Sequence, residues 1–165
     1  MASRIRFSAA VFLLLLAGTG FGPPARALTV IPSHDWSAAF GDQTAHQRAY
    51  AVAMDASGAV YMAGPFVGTV NFGGGDLIAA GYGNSDIFLV KFNSAGAHLW
   101  SQRFGDAGSQ TAVSLAIDAS GNAYLTGYFD STVNFGGADL TCVGFSDIYI
   151  AKFSTTGVHL LPRPA

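Results

Sequence analysis

The chain has 165 residues, half of them hydrophobic and only 11% charged, with a formal charge of −2. Ten Asp, no Glu and two Lys give no basic stripe to hold a nucleic-acid backbone, which excludes nucleic acid as a partner. The lone Cys142 excludes an internal disulfide, so the fold has to hold by its core.

The first element is N-terminal. Arg4 and Arg6 precede the apolar run 9–17 (AAVFLLLLA), Gly22-Pro23-Pro24 breaks it, and Ala25-Arg26-Ala27 supplies small residues for cleavage. Residues 1–27 therefore read as a secretory signal peptide cut after Ala27. The run is shorter than the roughly 20 residues a membrane span needs. The expectation is a secreted protein, extracellular or at the cell surface, with no membrane span after cleavage. The rest carries five Lys and Arg against ten Asp. Asp, Gly, Asn and Ser favour turns, which points to strands joined by turns.

After a short extended lead, 28–35, almost everything occurs twice. Trp36-Ser-Ala-Ala-Phe40-Gly-Asp42 returns as Trp100-Ser-Gln-Arg-Phe104-Gly-Asp106. DASGAVYMAG (55–64) returns as DASGNAYLTG (118–127), TVNFGG (69–74) as 132–137, and Ser85-Asp86-Ile87 as Ser146-Asp147-Ile148. The frame is a first repeat over 36–99 and a second over 100–165. Within each we expect four main strands. The first (50–55, 113–118) is apolar nearly throughout and reads as an inner strand covered on both faces. The second is 59–66 or 122–129, and the third 86–92 or 147–153. The fourth is 98–104, with His98, Trp100, Gln102 and Phe104 on one face. TVNFGG reads as a short extra strand followed by a loop. In the second repeat Pro162 and Pro164 stand where the fourth strand belongs, and proline donates nothing to a ladder.

The combined pattern W-x3-F-G-D, D-A-S-G-N-x-Y, T-V-N-F-G-G and S-D-I-x-x-x-K-F resembles the SBBP-type β-propeller repeat. The D-A-S-G-N-A-Y part is also similar, more distantly, to NHL-type propeller repeats. The resemblance implies an all-β fold of tandem four-stranded antiparallel blades, about two here, hence an incomplete ring, and a bacterial surface setting. Propellers close with four to eight blades. Either several chains assemble into one ring, or the sequence is a piece of a longer one, which its ragged second repeat favours.

Each chemical candidate has a structural reading beside it. Asp55 and Asp118 in the DASG turns offer too few oxygens for calcium, which prefers six to eight, and read as turn-forming. Asp86 and Asp147 are better placed for a surface site that binds a cation or an amine, against satisfaction of their own loops. Asn71 and Asn134 read as turn residues. His98 and His159 read as solvent-facing strand residues with no further metal ligand near them, and Cys142 as a small core residue. No Gly-x-Ser-x-Gly elbow occurs. The acids recur between repeats except Asp35 and Asp130, whereas a catalytic ring needs polar residues that differ between blades. We therefore expect no catalytic or cofactor residues, and a non-enzymatic scaffold or binding module. Its partners would be other blades or further copies of itself, a surface protein or a glycan. The alternatives are part of a secreted hydrolase or lyase, and a calcium-stabilised adhesion module.

Overall fold

The structure, a computed structural model, describes residues 34–42 and 45–161. The expected signal peptide, most of the lead, and Pro162 and Pro164 lie outside them. The described residues are all β, without a helix, in antiparallel sheets that close no ring. Among them no helix is long and apolar enough to cross a membrane.

The first sheet has the order β1 (Ala51–Met54), β2 (Val60–Phe66), β5 (Asp86–Phe92), β6 (His98–Phe104). The hairpin β3 (Thr69–Asn71) and β4 (Asp76–Ile78) lies between β2 and β5 in sequence. The second sheet orders β7 (Gln110–Ile117), β8 (Ala123–Phe129) and β11 (Asp147–Phe153) as β11-β8-β7. It carries the matching hairpin β9 (Thr132–Val133) and β10 (Leu140–Thr141). TVNFGG is thus a short strand followed by a loop, as the sequence suggests, and the loop leads into a return arm that makes a hairpin of it. The return arms, DLI and LT, are too short for a periodicity to show.

The DASG turns set the register of both sheets. Gly58 and Gly121 each take φ of 80°, which a side chain disfavours. Their N–H groups donate to the carbonyls of Asp55 (2.9 Å) and Asp118 (2.8 Å). Six residues past each turn glycine a second glycine is required for another reason. The edge strand crosses so close that a Cβ on Gly64 would overlap the carbonyl of Arg48, and one on Gly127 that of Thr111.

Two apolar cores result. One lies between the sheets: Tyr61, Ala63, Ile87 and Leu89 of the first sheet meet Ala112, Ala123, Leu125 and Phe153 of the second. The other covers the opposite face of the first sheet, where Phe66, Val70, Phe72, Phe88, Val90 and Phe92 receive Phe40 from the segment before β1. Each such fully buried large side chain contributes about 1.5–3 kcal/mol. Tyr61 Oη also donates to the Gly121 carbonyl (3.0 Å), tying one sheet to the other's turn.

Two expectations need correction. The first strand of each unit is an edge strand, not one covered on both faces, and Val52 and Met54 are 70% and 67% exposed. Its apolar run signalled partners on two sides, and the described residues provide one. Second, β6 bulges at Leu99, between the pairs Phe92↔His98 and Lys91↔Trp100. The extra residue re-aims the chain, so His98 lies against Phe92 while Trp100 lies against Tyr61. The fourth strand of the second repeat, which the sequence reading expected to fail, is represented among the described residues by one bridge, Phe153↔His159, and a bond from Leu160 N–H to the Lys152 carbonyl (2.7 Å).

Gly127→Ala tests the strand crossing. The new methyl must displace the Thr111 backbone, and we expect a loss of about 1–3 kcal/mol or more, read as a fall in urea midpoint.

Candidate functional site

The repeat-equivalent acids are built into the backbone around them. Asp55 Oδ1 accepts the N–H groups of Ser57 (2.9 Å) and Ala59 (3.1 Å), and its Oδ2 pairs with Lys91 (3.1 Å). Asp118 accepts the N–H groups of Ser120 and Asn122 (2.9 Å each) and pairs with Lys152 (3.2 Å). Each lysine sits 4.6 Å over a tyrosine ring, Lys91 on Tyr61 and Lys152 on Tyr124. Burial pushes the Asp55 carboxyl up, but the bonds from Ser57, Lys91 and Ala59 outweigh it and hold it at about 2. Asn122, through side chain and backbone, and Lys152 hold Asp118 well below the usual range. The turn reading of both acids accounts for this geometry. Asn71 and Asn134 close the small hairpins by donating to Asp76 (2.7 Å) and Asp139 (2.6 Å).

Asp86 and Asp147 occupy unlike settings. Asp86 is fully buried, not at the surface: Arg103 ion-pairs with its Oδ2, which also accepts the Ala80 N–H (2.9 Å), and its Oδ1 has no partner among the described residues. Burial raises this carboxyl in spite of Ala80 and Arg103. Asp147 is half-buried and accepts the Val143 N–H (2.9 Å). The position matching Arg103 in the second unit falls among the residues outside the described ones. His98 and His159 are half-buried, not solvent-facing. His98 packs over Gly74 and bonds Ser101 Oγ (3.1 Å), and His159 lies against Phe153, where burial lowers its pKa. Cys142 is half-buried against the core between the sheets.

Gln110, which the sequence reading passed over, is the polar centre of the joint between sheets. Fully buried, it donates to Asp106 (2.8 Å) and accepts the Asp106 N–H (3.3 Å). Asp106 in turn accepts the Thr132 N–H (3.1 Å). The repeat itself carried the signal, because Gln47 is its equivalent and donates to the Val67 carbonyl (3.2 Å). Beside the joint opens a cleft of about 280 Å³ lined by His46, Arg48, Tyr50, Ser85, Ser109, Thr111 and Tyr128, among others. Three of these positions differ between the repeats: Arg48 answers to Thr111, His46 to Ser109 and Tyr50 to Val113. Arg48 makes no ion pair among the described residues. Two aromatic loop tips, Tyr82 and Phe145, stand fully exposed. No group of three or more metal-ligating side chains converges among the described residues.

Residues 99–135, from β6 to Phe135, match the family model of SBBP, a beta-propeller repeat, which bears out the resemblance read from the motifs. No curated protein matches the chain. A beta-propeller repeat points to a propeller-type binding or scaffold module.

Carboxyls depressed in the folded state contribute stability above their unfolded pKa, 3.8 for Asp55, and lose it as pH falls through about 2. Thermal melts from pH 7 to pH 2 should therefore fall steeply below pH 4, and less so in Asp55→Asn/Asp118→Asn. Arg103→Ala strands a buried carboxylate, with an expected cost of about 3 kcal/mol at pH 7. That cost should shrink towards pH 4, because the raised Asp86 takes up its proton sooner than an ordinary aspartate.

Proposed function

We propose that this chain is an exported, non-enzymatic propeller-repeat protein, each sheet one blade, that serves as a scaffold and binding module at the cell surface. The observation that carries the reading is the commitment of the repeated carboxylates to turns, hairpins and ion pairs. Acid chemistry needs a carboxyl poised near its substrate. Here Asp55, Asp118, Asp76, Asp139 and Asp106 are held by their own backbone or by an adjacent cation or amide. Binding falls instead to the cleft around Arg48 and to the aromatic tips. Arg48 with surrounding hydroxyls suits an anionic or hydroxyl-rich group, such as the acidic sugar of a surface glycan. Export rests on the basic, apolar and small-residue pattern of 1–27.

The cleft also supplies what the hydrolase or lyase alternative requires, polar residues that differ between repeats, so one experiment should address both. The purified chain is offered acidic and neutral glycans on an array, and the retained glycans are analysed for cleavage. Capture of acidic glycans without cleavage is expected. Arg48→Ala should weaken it about tenfold or more, as for loss of a bond to a charged group, with the melting temperature unchanged. Turnover of the bound glycan would sink the scaffold reading. A chelator in the same melts should leave the midpoint in place, and a fall would revive calcium-stabilised adhesion.

A further inference from the structure

Repeat-equivalent residues differ sharply in exposure, and the difference has a direction. Ile87 and Leu89 of β5 are 0% exposed beneath the second sheet, while Ile148 and Ile150, their equivalents on β11, are 86% and 74% exposed. On the opposite face the asymmetry reverses. Ala112, Ala123 and Leu125 are fully buried, whereas their first-sheet equivalents are exposed (Ala49) or half-buried (Val60 and Met62). The described residues thus contain one complete sheet-to-sheet contact and, at either end, one unmatched half of the same contact.

The segment 36–42 repeats the asymmetry in the backbone. Trp36 Nε1 donates to the Ser94 carbonyl (3.2 Å), as Trp100 Nε1 donates to that of Thr155 (3.0 Å). Phe40 lies on Phe72 and Phe92 as Phe104 lies on Phe135 and Phe153. Asp42 accepts the Thr69 N–H as Asp106 accepts that of Thr132. Residues 100–104, however, are also the outer strand of the sheet before, paired to β5. Residues 36–40 occupy the same seat on the first sheet and pair with no strand among the described residues. The complementary open edge is that of β11: among the described residues Asp147–Ala151 have no strand partner on that side, residues 159 and 160 meeting only Phe153 and Lys152.

We propose that a second copy of this chain fills both gaps. Its segment 36–40 adds to the β11 edge as an antiparallel strand, and its first-sheet face around Ala49, Val60 and Met62 covers Ile148 and Ile150. The register follows from Ile87↔Phe104 and Leu89↔Gln102 inside the chain, and is Ile148↔Phe40 and Ile150↔Ala38. Lys91 already reaches the Thr155 carbonyl across the internal contact (3.4 Å), and Lys152 meets the Ser94 carbonyl of the second copy in the same way. The contact is head to tail, so it repeats until a ring closes. Four to eight blades correspond to roughly two to four copies. The inference rests on the propeller-scaffold reading and names its partner.

Full-length chains carrying Cys142→Ser and either Ala38→Cys or Ile150→Cys are mixed and oxidised, and the parent chain is weighed by light scattering. Expected are a discrete assembly of about two to four chains and a disulfide that forms only between the two different variants. With Ile78→Cys, exposed on β4, in place of Ile150→Cys, no link should form. Ile148→Asp and Ile150→Asp should each weaken assembly about tenfold or more, with the circular dichroism of a β protein retained. A monomer at every concentration overturns the proposal. So does an assembly or aggregate that ignores both Asp substitutions and gives no link between the Ala38→Cys and Ile150→Cys chains. A folded monomer that still captures glycan leaves the scaffold reading standing. Glycan turnover by an intact assembly defeats that reading alone.

Discussion

A β-sheet with apolar residues on both faces has to be covered twice, and this requirement governs the molecule. In the first sheet β5 is buried along its whole length. Alternate residues, Ile87 and Leu89 against Phe88 and Val90, enter different cores. One face is covered by the second sheet, the other by Phe40 and the small hairpin. The second sheet has the same sequence pattern with only one face covered. Its β11 accordingly alternates between buried Tyr149, Ala151 and Phe153 and exposed Ile148 and Ile150. The two strands are near-copies in sequence. Their surroundings make one a core strand and the other an edge.

The outer strand serves as the hinge pin between neighbouring sheets. Its Trp and Phe side chains reach forward to the next sheet while its backbone pairs backward with its own. Trp100, Gln102 and Phe104 contact the second sheet through Thr155, Gly157, Phe135 and Phe153. The Leu99 bulge frees His98 to pack on the glycine turn instead. The matched family stretch, 99–135, begins on this outer strand and runs through β7 and β8 to the loop after β9.

The charged groups divide by the same logic. Where the carboxyl sits in a turn, as in Asp55 and Asp118, short-range N–H groups and a lysine stabilise the anion, and a single local motif accounts for it. Asp86 differs. Its burial comes from the loop and strand packed around it, its cation from β6, and one of its oxygens has no partner among the described residues. A raised carboxyl pKa inside an ion pair is what that mixture yields, and its source is the packing at the joint between sheets.

Along the chain, the turns, the long strands and the two-fold repeat are local properties. Asp-Ala-Ser-Gly forms its turn from its own atoms, and the main strands are recognisable by composition over seven or so residues. The sequence by itself therefore determined an all-β chain of two like units and the structural role of its turn acids and asparagines. Burial, by contrast, belongs to what lies across from a residue. Only the tertiary structure decided that the first strands are edges, that Asp86 is enclosed while Asp147 is not, and that His98 and His159 turn inward. It alone placed Gln110 at the joint and Arg48 in the cleft. Identical motifs carry no record of which copy has a neighbour, because that neighbour is supplied by another part of the chain folding against it.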